Sequence, residues 1–239
     1  MDGLERIAAR ALGRRSATWL EPACGTGRYL EALAKRGHRV IGFDRDPGMV
    51  GYAARRLRPW GTAARVLDAD MTEFAAKVGT GTVDVAFNPI NTVRHLASDR
   101  DMLRHFREIR RVLRPGGVYA VGLSLSWYGN EVPSEDVWEG ARAGVRVKQV
   151  VQYIPPRSRA SRREWVHSHL EIRRGRESEH RDSSYWLRCY GRRQWGSLVD
   201  RGGMRVAAIV NERGDEIEPV VFGYGIYLLE PATRSRSSG

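Results

Sequence analysis

The chain has 239 residues, 41% of them hydrophobic, a formal net charge of +12 at pH 7 and two cysteines, Cys24 and Cys189. That length supports a large core without staples, which excludes a disulfide scaffold. No apolar run approaches the roughly 18 residues of a membrane span, so no membrane partner is expected and the cytoplasm is the expected location. The cysteines offer no metal spacing. Of the 40 basic residues only Lys35, Lys77 and Lys148 are lysines, and the excess peaks in Arg157–Arg193, with eleven basic against five acidic residues. A solvated arginine-rich loop and a phosphate-binding patch both fit that stretch, leaving nucleic acid open as a less favoured partner.

In chain order, Asp2 to Leu12 reads as a short helix with Leu4, Ile7, Ala8 and Leu12 on one face. Thr18 to Ala23 is a short apolar strand that meets Gly25 and Gly27 before a helical pattern, Tyr29, Leu30, Leu33 and Ala34, takes over. Val40-Ile41-Gly42-Phe43 then stops at Asp44. Such a βαβ unit suits a nucleoside: glycines without Cβ let the ligand lie against the backbone, and the carboxylate can accept both ribose hydroxyl protons. A dinucleotide fold wants a third glycine where this chain has Leu30, and no GxxxxGK[ST] loop is present to cradle a triphosphate. The segment Glu21-Pro22-Ala23-Cys24-Gly25-Thr26-Gly27 resembles the E/D-x-x-x-G-x-G signature of class I S-adenosylmethionine-dependent methyltransferases. The resemblance implies an α/β, Rossmann-like, seven-stranded, mostly parallel sheet flanked by helices. It also implies S-adenosyl-L-methionine as cofactor and S-adenosyl-L-homocysteine as product.

Many small-molecule members of that family carry a longer N-terminal segment than the 17 residues found before the first strand here. The pocket is therefore open on that side, or the start is late, or another chain supplies the cover. After Asp44, Asp46-Pro47 is a cap followed by proline, opening a helix over Met49 to Leu57. Ala64 to Leu67 is a third strand leading to Asp68-Ala69-Asp70-Met71. The resemblance implies that Asp70 bonds the adenine amino group and that the Met71 backbone amide meets a ring nitrogen; capping of the following turn by Asp70 is the alternative. Val83 to Asn88 is a fourth strand. Asn88-Pro89 begins like the N-P-P-Y/F motif of amide and adenine N-methyltransferases, but Ile90 and Asn91 replace the proline and aromatic. The loop running to His95-Leu96 is more similar to that of methyltransferases acting on small metabolites, including sugar-amine N-methyltransferases, in which the histidine faces the acceptor. Asp99 to Leu113 is an amphipathic helix capped by Ser98, ended by Arg114-Pro115-Gly116-Gly117, with a fifth strand over Val118 to Leu125. That turn is another feature of the resemblance, which covers Thr18 to Leu125.

Alternation over Val145 to Ile154, Glu164 to Ile172 and Ser183 to Tyr190 predicts an antiparallel insert after the fifth strand. A last helix over Arg192 to Arg201 and strands over Met204 to Val210 and Gly223 to Glu230 close the sheet. The expected organisation is a cofactor-binding core over 1–125, the insert over 126–190 as substrate lid or oligomer contact, the end of the core over 191–230 and a disordered tail over 231–239. A homodimer through the insert is open. On the resemblance, Glu21, Ala23, Gly25, Gly27, Asp44, Arg45, Asp70, Met71 and Asn88 bind the cofactor, and His95 orients or deprotonates the acceptor. Asn91, Trp127, Tyr128, His167, His169 and Trp186 are the candidate substrate lining, with Tyr153 and Tyr185 beside them. The expected activity is methyl transfer to a nitrogen or oxygen of a small-molecule acceptor. An RNA methyltransferase using the basic insert and a catalytically silent cofactor-binding partner subunit are the alternatives.

Overall fold

A computed structural model describes Gly3, Glu5, Arg6 and residues 17–232. Gly3, Glu5 and Arg6 are helical, while the rest of the expected first helix and residues 233–239 of the expected tail lie outside the described residues. Pro231 belongs to the last strand, not to a tail.

The first strand β1 (Thr18–Pro22) is buried along its whole length. Its glycine turn leads into α1 (Arg28–Ala34), which buries Leu30, Leu33 and Ala34, and then β2 (Arg39–Asp44) pairs with β1 in parallel. Asp46 caps α2 (Pro47–Leu57) by accepting a hydrogen bond from the Met49 N–H at 2.9 Å. Next come β3 (Ala64–Asp68), the short α3 (Ala75–Val78), β4 (Val83–Asn88) and α4 (Asp99–Val112), with Ser98 capping the Asp101 N–H at 3.1 Å. The fifth strand, β5 (Leu113–Leu125), starts five residues earlier than alternation suggests and takes in the Pro115-Gly116-Gly117 turn.

After β5 the chain forms a four-stranded antiparallel sheet, β6 (Ser134–Arg142), β7 (Val145–Ile154), β8 (Arg163–Arg174) and β9 (Glu177–Arg188). The strand β6 is absent from the sequence reading, and β8 and β9 are longer than expected. Positive φ at Ala143 and Gly144 joins β6 to β7 through a two-residue turn. The chain then returns through α5 (Arg192–Arg201), β10 (Met204–Val210) and β11 (Gly223–Pro231). The main sheet has the order β10-β11-β5-β4-β1-β2-β3, all parallel except that β11 runs against both neighbours. Strand order reverses between β1 and β4, and in open α/β sheets ligands bind beyond the carboxyl ends of the strands at that point.

Side chains from alternate positions form two layers. Leu20, Phe43, Phe74, Phe106, Tyr119 and Trp195 pack on one face of the sheet, and Trp19, Leu30, Leu33, Phe87 and Val118 on the other. The missing third glycine finds its explanation here. A Cβ on Gly42 of β2 would stand 2.3 Å from Leu30 Cδ1 and 2.8 Å from Cys24 Sγ. Clearance between helix and strand is thus supplied by the strand, and the helix fills it with a leucine.

The second sheet has only a small core of its own, Val151, Val166 and Leu187. Polar groups fasten it to the main body. The Arg94 side chain, 5% exposed, donates to Glu164 at 2.8 Å and to the Arg188 carbonyl at 3.0 Å. Asp99 at the head of α4 accepts from Arg162 and Arg188, each at 2.9 Å. The Ser126 N–H donates to the Tyr190 carbonyl at 3.0 Å, so the chain leaves the main body and rejoins it at one point.

Candidate active site

The carboxyl ends of β1, β2, β3 and β4 surround a cavity of about 440 Å³ lined by Ala23, Asp44, Arg45, Asp70, Met71 and His95 among others. Ala23, Gly25 and Gly27 all take positive φ, 49°, 52° and 70°, which folds the turn tightly over the end of β1. The Asp44 carboxylate accepts the Gly25 N–H at 2.9 Å and the Asp46 N–H at 3.0 Å, which fixes it between the glycine turn and the start of α2. Glu21 is buried, one of its oxygens has no hydrogen-bond partner, and burial followed by the Asp44 charge raises its pKa well above the usual carboxylate range. The unpartnered buried carboxyl oxygen is a hydrogen-bonding group left over beneath the turn, and Gly25 and Gly27 carry no Cβ to keep a ligand off the backbone. Cys24, in the same turn, has its thiol pushed up to about 12 by burial and by Glu21 and Asp44, so it is an unreactive filler.

Asp70 accepts from the Thr72 N–H at 2.8 Å and from the Thr72 hydroxyl at 2.7 Å, so it caps its turn and also lines the cavity. Asn88 lies beneath the site, not in it. It is 1% exposed, its Nδ2 donates to the Pro22 carbonyl at 2.6 Å, and its Oδ1 accepts from the Tyr119 hydroxyl at 2.6 Å. That contact continues to His105, whose Nε2 is 2.7 Å from the Tyr119 oxygen and whose Nδ1 is 2.9 Å from the Met71 carbonyl. His105 falls on the apolar stripe of α4 with Met102, Phe106, Ile109 and Val112, and burial lowers its pKa to about 4.

On the other wall, His95 ends a short 3-10 turn, Thr92–His95, and its exposed ring stacks on Tyr185 of β9 at 5.7 Å between centroids. Partial desolvation, then the cations of Arg45 and Arg94, lower its pKa, which keeps the imidazole neutral near pH 7. Arg94, its chain neighbour, binds Glu164, which lines a second cavity of about 370 Å³ together with Trp127, Glu131, Tyr153 and Phe222. Trp127 and Phe222 stack at 5.1 Å between centroids. Partial burial and the neighbouring Glu164 raise the Glu131 carboxyl, against the pull of a Trp127 N–H.

Trp127 therefore lines this cavity, whereas Asn91, Tyr128 and Trp186 do not, and His167 and His169 line a separate groove of about 350 Å³ on the second sheet. Asn91 is tied to Ser124 through both ends of its amide, at 2.8 and 3.0 Å. The Tyr128 hydroxyl donates to Gln194 at 2.7 Å. His167, His169 and Trp186 stand on the outer face of the insert. There His167 contacts Ser184 at 2.8 Å, His169 contacts Asp182 at 2.6 Å, and Trp186 lies under the Arg163 guanidinium at 4.7 Å. Strand alternation puts His167, His169 and Trp186 on one face and Tyr153, Glu164 and Tyr185 on the other, inward one. The arginine-rich stretch is likewise spent in part on internal contacts, Arg162 and Arg188 both binding Asp99. Sequence reading missed Glu131, Phe222 and His105; for His105 the available signal is its place four residues before Ile109 on the buried stripe.

The strand order, the glycine turn and the acid ending β2 are the arrangement of the class I S-adenosylmethionine-dependent methyltransferase fold. Residues 20–117, less than half of the chain, match the family described as a methyltransferase domain. Over 78 residues the chain is 37% identical to a ribosomal RNA small subunit methyltransferase H of Anaeromyxobacter sp. (strain Fw109-5), covering 29% of this chain and 25% of that protein. The chain spans less than half the length of the curated relatives it matches. Among solved structures it is similar to an S-adenosylmethionine-dependent methyltransferase of Clostridium acetobutylicum ATCC 824, with TM-score 0.75, 14% identity, and 97% and 92% of the two chains covered. It is also similar to the sugar N-methyltransferase KedS8 of Streptoalloteichus sp ATCC 53650, with TM-score 0.69, 20% identity, and 93% and 83% covered. At those identities the likeness is one of fold.

Proposed function

We propose that this chain transfers the methyl group of S-adenosylmethionine to an amine nitrogen of a small, amino-sugar-like acceptor seated in the aromatic cavity. The observation that carries this reading is the wall of that cavity. In a chain of net charge +12, two carboxylates, Glu131 and Glu164, face stacked Trp127 and Phe222, which are 52% and 54% exposed. Flat aromatic faces suit the carbon-bound face of a ring, and the Glu131 carboxyl suits a cationic amine, while Glu164 is already paired with Arg94.

The cofactor, when bound, supplies a methyl group on a positively charged sulfur that is already activated for in-line displacement. What the protein adds is position and a free lone pair on the acceptor. Asp44 and Asp70 hold hydroxyl and amino groups at one end of the cleft, with the Glu21 carboxyl below the glycine turn. Neutral His95, its ring stacked on Tyr185, takes one proton from the bound ammonium, and the freed nitrogen lone pair then displaces the sulfur, which leaves as a neutral thioether.

Methylation of RNA is a second reading, favoured by the basic balance and by the name of the Anaeromyxobacter relative. Incubation with cofactor and a panel of amino sugars and simple amines, beside total RNA, separates the two. The expected product is an N-methylated amine, with His95→Gln losing roughly 100-fold or more in kcat at saturating acceptor. Methylated RNA, with binding that falls steeply with salt, overturns the acceptor class; no calorimetric binding of S-adenosylhomocysteine overturns the cofactor.

A further inference from the structure

Two carbonyls at opposite sides of the cofactor cavity are joined through the core. From the Met71 carbonyl the path runs to His105 Nδ1 at 2.9 Å, from Nε2 to the Tyr119 hydroxyl at 2.7 Å, from that hydroxyl to Asn88 Oδ1 at 2.6 Å, and from Asn88 Nδ2 to the Pro22 carbonyl at 2.6 Å. Met71 lines the cavity, and Pro22 precedes Ala23, which lines it from the other side. Both ends of the path only accept, so four contacts require four hydrogens placed between them. The Asn88 amide, the Tyr119 phenol and a neutral imidazole bring one each to the path. Turning the amide over does not change that count. A fourth hydrogen is present only when the imidazole is charged.

We infer that His105 is a positioning residue that couples the Met71 side of the cofactor cleft to the Pro22 side through this buried path, which is one hydrogen short while the imidazole is neutral. The assignment of the two sides to adenine and methionyl ends rests on the cofactor reading above. With the proton on Nδ1, the ring holds the Met71 carbonyl and with it the orientation of the peptide in the adenine wall; the mismatch then falls beside Asn88. With the proton on Nε2, the mismatch falls at Met71 and that peptide is released. The two ends therefore compete for the same hydrogens, and a ligand that changes one end changes the other.

Charged neighbours are placed so as not to settle the matter. Asp70, from the β3 side, accepts from Thr72. Glu108, on α4 itself, accepts the Phe74 and Ala75 N–H groups at 2.9 and 2.7 Å and pairs with Arg111 at 2.9 Å. From β5 comes only the Tyr119 phenol, and the rings of Phe74 and Phe106 complete the surroundings. Desolvation keeps the imidazole neutral near pH 7.

Nitrogen NMR on the full chain labelled at histidine tests this, with His105 signals identified by their loss in His105→Asn. In the wild type the His105 ring is expected to be neutral, and its two nitrogen signals to move on addition of S-adenosylhomocysteine. Tyr119→Phe keeps the ring volume but cuts the path. It should bind the same ligand about ten-fold more weakly, with the His105 signals no longer responding. Binding by the wild type without movement of the His105 signals overturns the coupling, as does a Tyr119→Phe chain that keeps both affinity and response. Failure of the wild type to bind at all is a different result: it removes the cofactor reading and the inference with it.

Discussion

In the main sheet, β1 and β4 bury every residue they contain, whereas β6 of the second sheet exposes all nine of its own. The first sheet is covered on both faces and gains its stability from apolar area removed from water. The second covers one face with a three-residue core, and its attachment depends on a few charged groups at its root: Arg94 with Glu164, and Asp99 with Arg162 and Arg188. Two kinds of order serve two parts of the site. Rigid burial holds the cavity beside Asp44, and a charged root holds the wall of the aromatic cavity.

The second sheet is most easily detached at its root. Arg94→Met leaves Glu164 without its buried partner, and removal of one member of such a pair costs on the order of 3 kcal/mol or more. Limited proteolysis is expected to cut first within 126–190, well below the temperature at which the main sheet melts; an unchanged melting curve and cleavage pattern refutes the role given to this pair. In the main sheet the corresponding weak point is functional. Asp44→Ala removes a carboxylate that holds the glycine turn and faces the cavity, and S-adenosylhomocysteine should bind at least ten-fold more weakly in calorimetry, in line with about 1.5–3 kcal/mol for a charged hydrogen bond.

Acid sharpens the contrast further. His105 is neutral in the folded chain down to about pH 4, while an unfolded histidine titrates near pH 6.5. Below that value the unfolded state binds more protons, so this group contributes a loss of stability as pH falls from about 6.5 towards 4, roughly 1 kcal/mol between pH 7 and 5.5. Denaturant curves at those two pH values should show a smaller difference for His105→Asn than for the wild type, and equal differences would remove His105 as the cause. The smallest effect is expected on the outer face of the insert. His167→Ala and His169→Ala should leave turnover and cofactor affinity within two-fold of wild type; a marked loss in either would return that face to the acceptor site.

How much of this could be read in advance divides along the same line. Caps and turns are local, so Gly25, Asp44, Asp46-Pro47 and Ser98 announce themselves from neighbours in the chain, and the main sheet follows from apolar runs separated by them. The strand β6 shows no buried face and so no alternation to find. Alternation sorts His167 from Val166 and Trp186 from Tyr185, but which face turns inward is decided by Arg94 and Asp99, far away in sequence. Polar residues beside the cavity pose the same difficulty: Asn91 and Tyr128 have the right chemistry for a substrate, yet Ser124 and Gln194 already occupy them. His105 is hidden for the opposite reason, a titratable side chain on a stripe that otherwise reads as core.

The meeting of Ser126 and Tyr190 across one backbone hydrogen bond carries a consequence for how such a chain can change. Everything between them is a cassette whose two ends already touch, so replacing it asks the flanking strands to bridge no new distance. On the proposed function, all of the aromatic cavity's wall but Phe222 can change by swapping that cassette while the cavity beside Asp44 stays as it is.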